Sequence, residues 1–157
     1  YSSAASDVYK RQLINAHAMP GAHAALQAVQ DAGLRCALFT NPSFPQGAIE
    51  CRMGWGDLAD APFELVTHMG NATRCKPDAT YYLEQLQVMG LEPHEVLMVG
   101  NDPKRDFPSP ACGIQTAYVG QGKPGRATWR GTMEDFARDF NAVIEAFYEH
   151  QVADELS

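Results

Sequence analysis

The 157-residue sequence lacks the marks of several large protein classes. No apolar run approaches the roughly 20 residues that a membrane-spanning helix needs. The four cysteines, Cys36, Cys51, Cys75 and Cys112, include no CxxC pair, and no histidine stands at metal-ligand spacing from them. A zinc site is therefore not expected, and idle thiols in a reducing cytosol are the plain reading, which implies a cytoplasmic protein. No GxGxxG follows the first strand-like stretch, which removes a dinucleotide-binding domain. Repeats and low-complexity tracts are also missing. Basic residues number only 12 against 19 acidic ones, a net charge of −7. That balance argues against nucleic acid or an anionic membrane surface as partner. An anionic small molecule stays open, provided that a local cation neutralises it.

With 45% hydrophobic and 20% charged residues, the composition is that of one globular domain with a sizeable core. The chain opens without methionine, and Ser2–Gln12 reads SSAASDVYKRQ. This string resembles the translation of an adapter used in transposase-based sequencing libraries. On that resemblance residues 1–12 are set apart as non-native, and residues 13–157 are expected to hold the natural sequence, with an upstream portion missing.

From Leu13 onward, helix and strand signals alternate. Pro20-Gly21 opens a helix with an apolar face of Ala24, Ala25, Leu26, Ala28 and Val29, closed by Gly33. Cys36–Phe39 is a short apolar run, as in a strand buried on both faces. Phe63–Thr67, Glu95–Val99 and Gln115–Val119 predict three further strands. Pro77–Gly90 predicts a helix, and Met133–Tyr148 another, with Phe136, Phe140, Val143, Ile144 and Phe147 at helical spacing. Gly120–Gly131 reads as one long loop. Alternating strands and helices predict an α/β domain with a parallel sheet, whose ligands bind at the carboxyl ends of the strands.

Three polar clusters fall at those ends: Thr40-Asn41, Lys76, and Asn101-Asp102 with Asp106. Singly, each reads as a turn, a solvated helix start or a cap. Together they form a reagent set. A hydroxyl and an amide can bond phosphoryl oxygens, a lysine can balance developing charge, and carboxylates can hold Mg²⁺. Phosphoryl transfer needs that set, because its catalysis is mostly positioning and neutralisation. A nucleophile is not among them.

In order and context these stretches resemble the haloacid dehalogenase superfamily. CALFTN (Cys36–Asn41) is similar to its second motif, CKPDATYY (Cys75–Tyr82) to its third, and EVLMVGNDPKRD (Glu95–Asp106) to its fourth. The resemblance implies a three-layer Rossmann-like core. Thr40 would hold the phosphoryl group, with Asn41 on the same loop. Lys76 would stabilise an aspartyl-phosphate. Asp102 or Asn101 would meet Mg²⁺, and Asp106 would act through water or by orienting Lys76. It also implies a Mg²⁺-dependent phosphatase for a small phosphorylated metabolite.

The family's first motif, an aspartate pair ending a strand, has no counterpart here. Asp31, Asp57, Asp60 and Asp78 are expected in helices or loops, so the sheet is expected to be incomplete and the chain inactive alone. A cap domain is expected to be absent, with Leu13–Met19 as its exit. In relatives the first-motif strand lies between those of the second and fourth motifs, so its loss should separate Cys36–Phe39 from Glu95–Val99 and weaken the fold. Pro108 and Pro110 depart from the family's pattern and should shorten the helix after the acidic loop.

Two other readings compete: a metal-independent dehalogenase, disfavoured by Asp102 and Asp106, and a non-catalytic α/β binding domain. A response-regulator receiver places its acidic cluster before its lysine, the reverse of the order here. His17, His23, His68, His94 and His150 are expected in surface or packing roles, Trp55 and Trp129 in packing, and Lys123, Arg126 and Arg130 on a solvated loop.

Overall fold

The structure is a computed structural model that describes residues 17–155. Residues 1–12, set apart above, and the first part of Leu13–Met19 lie outside the described residues.

The first helix, α1 (Ala22–Asp31), starts behind Gly21, whose φ of 84° favours glycine, and it stops at Ala32-Gly33. Strand β1 is short, Ala37–Leu38, and pairs in parallel with β2, Leu65–Val66. Helix α2 (Gln46–Trp55) lies between them in sequence. The Asp78 carboxylate caps α3 (Ala79–Met89) by accepting the Thr80 backbone N–H at 2.8 Å, and Gly90 closes it in the left-handed region at φ 67°. Pro77 therefore precedes this helix rather than entering its first turn.

Strand β3 (Leu97–Gly100) pairs in parallel with β4 (Gln115–Val119), and β4 with β5 (Trp129–Gly131). Between β3 and β4 stands only a 3₁₀ turn at Pro110–Cys112, as the two prolines require. The end of the expected long loop is instead strand β5. Its backbone pairs with β4, and Trp129 packs edge-on against Phe136 at 5.4 Å between ring centroids.

The last predicted helix is two helices, α4 (Met133–Arg138) and α5 (Phe140–Glu155). Thr132 and Asp135 form a capping box at the start of α4. The chain breaks at Asp139, whose carboxylate bonds Arg138 instead of supporting the helix. The apolar stripe carries across the break, with Phe136, Phe140, Val143 and Phe147 all buried.

The layers follow from alternation along β3. Leu97 and Val99 join a core with Ala25 of α1, Ala117 and Val119 of β4, and Phe136. Val96 and Met98 face the opposite core, built on Tyr81, Tyr82 and Leu86 of α3. This is a three-layer α/β/α arrangement with α1, α4 and α5 on one side of the sheet and α3 on the other. Among the described residues no strand joins β1 to β3, so β1-β2 and β3-β4-β5 are separate sheets.

Candidate active site

The parallel strands β1, β2 and β3 deliver Thr40, Thr67 and Gly100-Asn101-Asp102 at or just beyond their carboxyl ends. The acidic loop is organised around Asp106. Its Oδ1 accepts a hydrogen bond from Lys76 Nζ at 2.6 Å, an ion pair whose side chains are only 10% and 13% exposed. Its Oδ2 accepts the backbone N–H groups of Asn101 at 3.0 Å and Asp102 at 2.9 Å. The loop closes further through Asp106 N–H donating to Asp102 O at 2.7 Å. Four donors or contacts thus converge on one buried residue, and its carboxylate fixes both the lysine and the backbone of the loop. Gly100 makes this possible. A Cβ there would lie 2.5 Å from Asp106 Cβ and 2.8 Å from Oδ2.

Asp102 is partly exposed. Its Oδ1 accepts the Lys104 and Arg105 backbone N–H groups at 3.0 and 3.3 Å, and its Oδ2 lies 3.6 Å from Arg105 Nε. The Asn101 side chain is exposed. These two residues offer a carboxylate and an amide oxygen, hard donors of the kind Mg²⁺ takes in sets of about six. They fit such an ion as part of its shell. No group of three acidic, histidine or cysteine residues with metal-binding geometry occurs among the described residues.

At the end of β1, Thr40 is held on every polar atom. Its N–H donates to Thr67 Oγ1 at 2.7 Å, its hydroxyl donates to Thr67 O at 2.7 Å, and its carbonyl accepts the Tyr81 hydroxyl at 2.6 Å. Asn41 follows on the exposed side of the turn, its carbonyl accepting Ser43 N–H at 2.8 Å.

The arrangement joins Lys76 to Asp106 directly. It links the Thr40 loop to them through adjacent tyrosines of α3. Tyr81 reaches Thr40, while Tyr82 donates to the Asp106 carbonyl at 2.5 Å. The two rings stand edge to face at 5.1 Å, both side chains wholly buried. Burial is the main cause that pushes both phenols well above their ordinary pKa, and for Tyr82 the negative Asp106 adds to it. Both hydroxyls remain protonated donors.

Thr67, Tyr81, Tyr82 and Gly100 were not identified as site residues from the sequence. The available signal was the Tyr-Tyr pair five and six residues beyond Lys76, since a buried phenol needs a hydrogen-bond partner. Arg126, expected on a solvated loop, is half-buried and donates to the Pro108 carbonyl. Burial also raises the thiol pKa of Cys36 and Cys112, which disfavours the thiolate form.

Parallel strands with Thr40 and the acidic loop at or just beyond their carboxyl ends define an α/β fold whose ligand sites fall at those ends. The chain is a member of the haloacid dehalogenase-like hydrolase family, whose profile matches residues 3–112. The matched stretch includes most of the adapter-like segment. No curated protein sequence matches the chain.

Solved structures of similar fold include a HAD phosphatase from Thermococcus onnurineus, 21% identical over 77% of this chain and 57% of that one, with a TM-score of 0.64. A HAD family hydrolase from Deinococcus radiodurans R1, with bound phosphate and sodium, is 20% identical over 82% and 59%, with a TM-score of 0.63. A defluorinating L-2-haloacid dehalogenase is 20% identical over 80% and 54%, with a TM-score of 0.64. The chain thus spans less than two thirds of the length of these structures. Among the described residues, no helix is long and apolar enough to cross a membrane.

Proposed function

We propose that this chain carries the phosphoryl-handling part of a cytoplasmic phosphatase that hydrolyses a small phosphate monoester through an aspartyl-phosphate. The observation that carries the reading is the buried Lys76–Asp106 pair, seated on the loop that presents Asn101 and Asp102. It keeps a cation beside a strand-end loop, where a transferring phosphoryl group needs charge balance.

In this reading Thr40 and Asn41 line the phosphoryl site. Lys76 neutralises the phosphoryl oxygens, and Asp106 holds Lys76 in place. Asp102, with Asn101 beside it, contributes to a Mg²⁺ site, and the ion when bound supplies further charge neutralisation. The nucleophile is an aspartate other than Asp102 and Asp106, whose carboxylates are committed to the loop. Its oxygen bonds to phosphorus as the phosphorus–ester oxygen bond breaks and the leaving oxygen takes a proton from solvent water. Water then cleaves the acyl-phosphate, releasing phosphate and restoring the carboxylate. The substrate class in this reading is a small phosphorylated metabolite.

The test is hydrolysis of p-nitrophenyl phosphate by the full-length protein, with Mg²⁺ and with EDTA. Turnover that requires Mg²⁺ is expected. Phosphatase turnover that survives EDTA would overturn the metal-dependent reading. Release of halide from a 2-haloacid without phosphatase turnover would favour the dehalogenase instead.

A further inference from the structure

Around Thr40 the hydrogen bonds close into a ring. A carbonyl only accepts, so the Tyr81 hydroxyl must give its proton to Thr40 O, 2.6 Å away. The contact of 2.9 Å between Tyr81 Oη and Thr67 Oγ1 must then be donated by Thr67. Thr67 Oγ1 in turn accepts from Thr40 N at 2.7 Å. Thr67 Oγ1 also lies 3.3 Å from Thr40 O and 3.4 Å from Leu38 O, but its single proton is best placed on the 2.9 Å contact to Tyr81 Oη. In the ring each hydroxyl then donates once and accepts once, and neighbouring hydrogen bonds reinforce one another. Thr67 and Tyr81 are both wholly buried, so no water substitutes for either partner.

Outside the ring, the Thr40 hydroxyl donates to the Thr67 carbonyl. Tyr81 is itself fixed by edge-on packing against Phe39 at 5.8 Å and Tyr82 at 5.1 Å.

We propose that Thr67 and Tyr81 are positioning residues for the phosphoryl-binding loop: their hydroxyls fix the peptide groups of Thr40 and thereby set where its side chain stands. The assignment of Thr40 to the phosphoryl site rests on the function proposed above, whereas the ring itself does not.

Amide hydrogen exchange of the 157-residue chain, read residue by residue, separates the two. Thr67→Val keeps the volume and removes the hydroxyl. Tyr81→Phe keeps the ring packing. In each variant Thr40 N–H is expected to exchange about tenfold faster, with Val99 in β3 unchanged, as loss of one cooperative hydrogen bond implies. Thr67→Ser should restore protection, which a packing role alone would not allow, because serine lacks the methyl group but keeps the hydroxyl.

An unprotected Thr40 in the unsubstituted chain would overturn the proposal. Equal acceleration at Thr40 and Val99, or failure of Thr67→Ser to rescue, would do the same. Orthophosphate added to the unsubstituted chain reports on the other reading. If the Thr40 amide resonance does not shift, the phosphoryl-site assignment fails while the ring stands.

Discussion

Lys76 and Asp106, 30 positions apart in sequence, meet at 2.6 Å, Nζ to Oδ1, with little of either side chain exposed. The pair spans two of the three family motifs. Removing one partner leaves a buried charge without compensation, and Asp106 also holds two loop N–H groups. Asp106→Ala should therefore cost about 3 kcal/mol, and Lys76→Met a comparable amount. The double variant should lose clearly less than the sum of the two. Urea unfolding of the three variants checks this; simple additivity would mean the pair does not act as a unit.

Gly100 is where the acidic loop is most sensitive to shape. The Cβ of Gly100→Ala would fall within 2.9 Å of three Asp106 side-chain atoms, so the carboxylate has to move. A destabilisation of about 2 kcal/mol is expected, in the range of overpacking. Thermal melts measure it, and an unchanged midpoint would show that Asp106 has room to spare.

Tyr82→Phe isolates a single hydrogen bond, because the ring and its edge-on contact with Tyr81 are retained. The expected loss is about 1 kcal/mol, with the Asp106 carbonyl left buried. Denaturant midpoints settle it, and a neutral effect would show that the carbonyl finds another donor.

The start of α4 carries a pH signature. Backbone and side-chain hydrogen bonds from Thr132, then Arg138, hold the Asp135 carboxyl near pKa 2, below its ordinary 3.8. A group depressed on folding stabilises above its unfolded pKa, and the benefit fades as pH falls through the folded value. The stability gap between the native chain and Asp135→Asn should be full above about pH 4 and shrink toward pH 2. Denaturation at several pH values tests the sign; a gap that grows on acidification would contradict it.

How much of this was readable depends on what each residue uses for contact. Leu97–Gly100 was legible because an apolar run buried on both faces leaves its mark in composition. Thr40, Lys76 and Asp106 were marked by the order of their polar clusters and the resemblance to family motifs, and the fold brings Lys76 and Asp106 into contact. Trp129–Gly131 was not, because Trp-Arg-Gly has no strand pattern and is held by pairing with β4 and by the ring of Phe136. The helix break at Asp139 was hidden because the apolar stripe runs through it. Thr67 and the tyrosine hydroxyls were hidden for a different reason. Most of their partners are backbone atoms brought near by the fold, and backbone partners leave no trace in residue identity.

The central claim is that Thr40, Lys76 and the Asn101–Asp106 loop form one phosphoryl-binding site. Titrating the chain with orthophosphate in the presence of Mg²⁺, while following backbone and side-chain NMR resonances, addresses it most directly. Shifts confined to Thr40, Asn41, Lys76, Asn101 and Asp102, lost in Lys76→Met, are the predicted result. Saturable shifts elsewhere, or binding that persists in Lys76→Met, would contradict it.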